Sequence, residues 1–255
     1  MAHAELLSPK NMSNAAEFGS VPLAATLHLG DARAARAFEA RRDLMLALGR
    51  GAPTPDGAVP LIGIWDDICA RRRRIRDAFC TEDSCHFLLE PCAGPPLTPR
   101  QVQILDRVLG GHTQQELCME HKLCAATVSQ AVSKTLNLIG LQCRVAAVPP
   151  LLVMVAHAAR GNLPITARVA ELEIDGVKLE LVRADRPDRV LDSRLSSAEQ
   201  TVLRMIVEGL SNAEIGLRRK TSTGTVANQA GAIFRKLQVS GRGELLARLV
   251  REALG

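Results

Sequence analysis

Aromatic side chains are nearly absent from this chain: among 255 residues there are five Phe, one Trp and no Tyr. Proteins that hold single-stranded nucleic acid stack its bases on rings, so a stacking platform is excluded and duplex DNA is favoured over RNA. A long apolar run is also missing. The longest charge-free stretch, residues 145–159, is shorter than the ~20 residues a membrane span needs and contains Pro149 and Pro150. Residues 1–20 carry acids among small polar residues and lack the apolar segment of a secretory signal. Seven cysteines, an odd number without framework spacing, read as reduced thiols. Together these absences predict a cytoplasmic location and no membrane association. No Cys/His/Asp catalytic arrangement, phosphoacceptor pattern or Walker A loop is present, so the chain is expected to be neither an enzyme nor a cofactor binder.

What is present is ordinary in bulk. With 47% hydrophobic and 23% charged residues the composition is that of a globular protein, long enough for one large domain or two to three small ones. A net charge of +5 is a mild bias toward an anionic partner.

The informative feature is a segment that occurs twice without a gap, 98 residues apart. Residues 97–144 read LTPRQVQILDRVLGGHTQQELCMEHKLCAATVSQAVSKTLNLIGLQCR, and residues 195–242 read LSSAEQTVLRMIVEGLSNAEIGLRRKTSTGTVANQAGAIFRKLQVSGR. Only eight of 48 positions are identical, among them Gly111/Gly209, Glu116/Glu214, Lys122/Lys220, Thr127/Thr225 and Val128/Val226. Caps, turns and apolar positions nevertheless coincide. In the second copy Ser196-x-x-Glu199 and Ser211-x-x-Glu214 are capping boxes that open two helices, the first ending at Gly209 and the second near Arg219. Ser222 caps a third helix with Val226, Ala230, Ile233, Phe234 and Leu237 inward, and a fourth runs from about Arg242. In the first copy Thr98, Pro99 and Gln101, then Thr113 and Glu116, repeat the plan, with a closing helix expected at 151–159. Three or four short helices with a tight link between the second and third are what a helix-turn-helix requires.

The stretch EGLSNAEI…TGTVANQ…IFRKLQV…R resembles the DNA-binding domain of LuxR-type (GerE-like) bacterial transcription regulators from Leu195 onward. The pattern LTPRQ…GGHTQQEL…ATVSQ resembles it less closely, and the pair is similar to double-domain regulators of that family. The resemblance implies base contacts from Thr223, Thr225, Asn228 and Gln229 around the Ser222 cap, and phosphate contacts from Arg218, Arg219, Lys220, Arg235 and Lys236. Ala227 stands where the family commonly has Lys, so guanine readout there is not expected. Glu214 and Arg242 read as internal, the acid pairing with a third-helix base and Arg242 capping the fourth helix. In the first copy the corresponding set is Lys122, Thr127, Ser129, Gln130 and Lys134, with Ser133 also outward. That copy has Cys124 in place of the Ser222 cap, at a cost of ~1 kcal/mol. It carries five bases against three acids over residues 97–158, whereas residues 195–255 carry nine against five.

Elsewhere, a helix is expected at 31–48, with Asp31 as cap and Phe38, Met45 and Leu48 on one face, followed by a loop at 49–60. A helix near 65–71 and strands near 74–79 and 86–90 follow, though their alternation is poor. The clearest strand signal is VAELEI-DG-VKLELV, where Asp175–Gly176 is a favoured type I′ turn. It sets Ile174 opposite Val177, Leu172 opposite Leu179 and Ala170 opposite Leu181, with Glu171 awkwardly opposite Glu180. A lone hairpin is marginal in water, so the two hairpins are expected to share an antiparallel sheet. Cys80, Cys85, His86 and Cys92 lack paired C-x2-C spacing, so no metal site is expected and the cysteines read as buried or free thiols without redox function. The run Arg71 to Arg74 reads as a solvated basic face.

The expected fold is therefore mainly α with small β-hairpins: two tandem four-helix modules, each preceded by a hairpin. The segments are a helical, partly disordered 1–60, a helix and hairpin at 61–96, the first module at 97–160, a hairpin and linker at 161–194, and the second module at 195–255. The expected function is sequence-specific regulation of transcription on duplex DNA, with a homodimer or RNA polymerase contact. The competing expectation is an interaction or dimerisation protein built on degenerate modules.

Overall fold

The structure, a computed structural model, describes residues 59–143, 147–161, 163, 165–174, 176–188 and 194–254. The helix expected at 31–48 and the turn residue Asp175 lie outside the described residues. Among the described residues are nine helices and five strands, and no helix is long and apolar enough to cross a membrane.

The chain enters through a two-residue edge strand, β1 (Val59–Pro60), where only a loop was expected. Proline suits such an edge because it has no N–H to give a ladder. Helix α1 (Leu61–Cys69) buries Leu61, Ile64, Trp65 and Ile68 on one face. It starts and stops earlier than the expected 65–71, because Arg71 sits in the left-handed region at φ 54, where a helix cannot continue.

Strands β2 (Arg73–Cys80) and β3 (Ser84–Pro91) form the first hairpin, and β4 (Thr166–Ile174) and β5 (Val177–Asp185) the second. All belong to one antiparallel sheet of order β1-β4-β5-β3-β2, in which β3 pairs with β5 and so joins the two hairpins. The expected register of the second hairpin is present at Ile174/Val177, Leu172/Leu179 and Ala170/Leu181, with Gly176 at φ +75 in the turn. Every residue of β3 except Pro91 is buried. A strand flanked on both sides and covered on both faces has no polar side to alternate with, which is why its period was weak in the sequence. Glu180, opposite Glu171, is relieved by Arg73, whose Nη2 lies 2.9 Å from its carboxylate.

The basic run Arg71 to Arg74, which leads into β2, leaves Arg72 and Arg74 exposed, as expected, but the charges of Arg72, Arg73 and Arg74 are paired. Arg72 and Arg73 pair with Asp67 at 2.5 and 3.1 Å, and Arg74 and Arg76 both pair with the buried Glu90.

The repeated segments fold alike. Helices α2 (Pro99–Leu109), α3 (Gln114–His121) and α4 (Ala125–Leu138) recur 98 residues later as α6 (Ser197–Val207), α7 (Asn212–Arg219) and α8 (Thr223–Lys236). Thr98, Thr113, Ser196 and Ser211 each cap in a reciprocal capping box. Lys122 and Lys220 end α3 and α7 in the same left-handed conformation, at φ 52 and 54. The fourth helices differ. α9 (Arg242–Leu254) begins at the position equivalent to Arg144, but α5 (Pro150–Gly161) begins later. Pro149 and Pro150 impose the delay, since proline is accepted only in a first turn.

One apolar core runs through both copies, α1 and one face of the sheet, taking Phe87, Leu89, Val169 and Val182 from the strands. A smaller cluster of Phe79, Leu88, Ala170, Leu172, Leu179 and Leu181 lies on the opposite face. The copies meet where α5 packs on α9 and α9 reaches α2. Gly111 is required there: a Cβ on it would come within 2.9 Å of the Glu244 Cα. A buried cross-link adds to this body. Arg186 forks onto Asp188 at 2.8 and 2.8 Å, donates to the Thr81 carbonyl oxygen at 2.9 Å, and reaches Glu208 at the end of α6 at 3.2 Å.

Candidate nucleic-acid interface

In the second copy the turn between α7 and α8 is short because Lys220 adopts the left-handed conformation and Gly216 lets the backbone close in. A Cβ on Gly216 would meet the Thr221 carbonyl oxygen at 2.9 Å. Ser222 then caps α8, its Oγ accepting from the Thr225 N–H at 3.0 Å. Val226, Ala230 and Ile233 bury one face of α8, and Thr223, Thr225, Ala227 and Asn228 stand exposed on the other. Thr225 Oγ1 is engaged with Ser222 Oγ at 2.8 Å, so its hydroxyl is partly committed to the cap. Asn228 makes no side-chain hydrogen bond among the described residues. Gln229 does: its Oε1 accepts from Arg219 Nη1 at 2.5 Å.

The five basic residues fall into two groups. Arg218 donates to Glu208 at 3.1 Å, Arg219 to Gln229, and Lys236 to Glu199 at 2.7 Å. Lys220 and Arg235 are exposed and have no side-chain partner among the described residues. The Lys236 ammonium, together with the Ser196 N–H, holds the Glu199 carboxyl below its usual range. Lys236 thus fastens the end of α8 to the start of α6.

Among the described residues Glu214 pairs with no base on the third helix. It closes the expected capping box instead, accepting from the Ser211 N–H at 2.7 Å. Arg242 is internal, as expected, but it fastens the turn before α7: Nη1 donates to the Leu210 carbonyl oxygen at 2.5 Å and Nη2 to Asn212 Oδ1 at 2.7 Å.

In the first copy Lys122, Thr127, Ser129, Gln130, Ser133 and Lys134 are all exposed around α4. Gln130 occupies the position of Asn228, so both third helices carry an exposed amide at the same place. Cys124 makes no side-chain cap to the backbone; its sulfur lies 3.1 Å from Thr127 Oγ1, and that hydroxyl holds the thiol below its usual range. Glu120, the counterpart of Arg218, is taken up by Arg107 at 2.9 Å.

Two features escaped the sequence reading. Arg186 lies in a linker with no motif, and only tertiary contact gives it a role. Met119 and Leu217, equivalent positions on α3 and α7, are large apolar residues 66% and 67% exposed. Helical spacing could have placed both on an outer face.

The cysteine group is dispersed. Cys85 and His86 project to opposite faces of β3. The Cys80 and Cys85 sulfurs lie 3.2 Å apart, His86 stacks on Phe79 at 4.7 Å, and Cys92 donates to the Arg71 carbonyl oxygen. Among the described residues no three Cys, His, Asp or Glu side chains are grouped to hold a metal ion.

Residues 193–249 match the model of a family described as bacterial regulatory proteins, luxR family. No curated protein and no solved structure matches the chain. The family match supports a LuxR-type, DNA-binding transcription regulator.

Proposed function

We propose that this chain regulates transcription in the bacterial cytoplasm by binding duplex DNA sequence-specifically, with α8 of the luxR-family segment as the recognition helix. One observation carries the reading: Asn228 on the exposed face of α8, Arg235 further along that helix and Lys220 in the turn before it are all exposed and without a side-chain partner among the described residues. An amide at a base edge can bond adenine bidentately, and cations at its borders can neutralise phosphates. Thr223, Thr225 and the Ser222 cap lie at the helix N-terminus, where base and phosphate contacts concentrate in such motifs. Arg218, Arg219 and Lys236 join the phosphate set only by exchanging their present partners. The test is fluorescence anisotropy with DNA selected from random duplex, measured against salt. Affinity that falls linearly in log salt, with preference over random duplex at moderate salt, is the expected result; equal binding to all duplexes overturns the sequence-specific reading.

A protein contact is the second reading, and the paired exposure of Met119 and Leu217 favours it. RNA polymerase or a second copy of the chain would cover such a residue. Leu217→Glu would then abolish transcriptional output while leaving DNA affinity unchanged; loss of DNA affinity instead would assign α7 to DNA.

A further inference from the structure

The two copies are not merely consecutive; they face each other. Gly111, after α2 of the first copy, packs against Glu244 and Ala247 of α9 in the second. Its counterpart Gly209 packs against Ala147 of the first copy, the position equivalent to Leu245. Contacts that exchange in this way, i with j and i′ with j′, are the mark of a two-fold axis and not of a translational repeat. The small cavity between the copies agrees. It is lined by Val108 and its equivalent Ile206, and by Val148 and its equivalent Leu246. The strands obey the same operation. β3 and β5, the inner strands of the two hairpins, pair antiparallel at the centre, and β2 and β4 flank them.

From this we infer that the chain is an internal pseudo-dimer, which presents α4 and α8 about one axis and occupies two inverted half-sites on a single duplex as a monomer. The inference rests on the DNA-binding reading and extends it to the first copy. Duplex DNA has local two-fold axes perpendicular to its length, so modules related by a two-fold read half-sites in inverted orientation, about 10 base pairs or a multiple apart. The first copy is equipped for a lesser share. Gln130 stands where Asn228 stands, Thr127 where Thr225 stands and Lys122 where Lys220 stands, and all are exposed. Arg235 is replaced by Asn137, and Arg218 by the paired Glu120. The half-sites are therefore unequal in both sequence and strength: the operator is a degraded palindrome, and the second copy holds the tighter half. Because the copies share one core, their separation is fixed.

The experiment uses the full chain and fragments selected from random duplex, with complex stoichiometry read by analytical ultracentrifugation. One chain per duplex and two inverted, non-identical half-sites are expected. Five base pairs inserted between the half-sites should lower affinity to that of the stronger half-site alone. Gln130→Ala should weaken binding to the two-half-site duplex about 5-fold or more and leave the lone stronger half-site unaffected, whereas Asn228→Ala should weaken both. A single protected half-site indifferent to Gln130→Ala, or two chains per duplex, would overturn the pseudo-dimer and leave DNA binding by α8 standing. No sequence preference on any duplex would overturn both.

Discussion

Arg219 Nη1 donates to Gln229 Oε1 across 2.5 Å, joining the last turn of α7 to the middle of α8. This bond decides between two amides that the sequence presents as equals. The bond takes one of the two acceptor positions on the Gln229 oxygen and ties that oxygen to α7, so Gln229 must share or break it to meet an adenine edge bidentately. Asn228 carries no such tie among the described residues. Asn228→Ala is therefore expected to cost ~1–3 kcal/mol on the preferred duplex and to relax specificity at one base. Gln229→Ala should cost less. Competition binding against single-base operator variants checks the ranking, and a larger loss at Gln229 would reverse the assignment.

Arg235 and Lys236 are neighbours in sequence, but of the two only Lys236 has an ion-pair partner among the described residues. Arg235→Ala should weaken binding to all duplexes alike and reduce the salt slope by about one. Lys236→Ala should instead lower the melting temperature, because Glu199 loses its partner. The Glu199 carboxyl is held below its usual range, so its stabilisation is full above the usual carboxylate pKa and is lost as pH falls through the folded value. Melting curves of both variants at pH 7 and at pH 3.5 separate the two roles, the Lys236 deficit shrinking in acid.

Arg186 is buried with Asp188, and both are almost wholly removed from solvent. Arg186→Met leaves a buried carboxylate without its partner and should destabilise by ~3–5 kcal/mol. Replacing Asp188 by Asn in the same chain should recover part of that loss. Urea unfolding of the single and double variants measures the coupling; independent, additive losses would show that the fork contributes little.

The first copy lacks one cap, and Cys124→Ser would supply it. A serine Oγ can accept from the Thr127 N–H as Ser222 accepts from Thr225, so a gain of ~1 kcal/mol is expected in urea unfolding. A neutral or destabilising result would mean that the Cys124 and Thr127 side chains already supply the cap.

His86 gives the fold a pH dependence. Burial first, then the Arg183 charge, lowers its pKa to about 4 from the ordinary 6.5. The unfolded chain then takes up a proton at higher pH than the folded one. Stability is full above 6.5, falls as pH drops toward 4, and levels off below, a loss of about 3 kcal/mol. Unfolding at pH 7 and pH 5 should show the fall, and His86→Gln should flatten it; an unchanged slope in that variant would assign the dependence elsewhere.

Much of this was legible in the sequence, for local reasons. A capping box, a proline at the first helical position or an Asp-Gly turn acts within four residues, so helix starts and the β4–β5 register could be read directly. The repeat placed α2 to α4 and α6 to α8 without any structure. The first hairpin was harder to read, since β3 is central and buried on both faces and therefore lost its alternation. For Glu214 the sequence offers two partners, its own capping box and a base on the third helix, and the local one takes the bond.

By itself, then, the sequence determined the modules: their caps, their apolar faces and the exposed polar set on α4 and α8, all of which follow from spacing along the chain. Tertiary structure decided which of those polar groups are free. It placed Lys236 on Glu199, Arg219 on Gln229 and Arg218 on Glu208, and it turned the two copies face to face. Such partners lie 10 to 37 residues apart in the chain. No local rule fixes contacts at that range, because they form only once the helices have packed around a shared core.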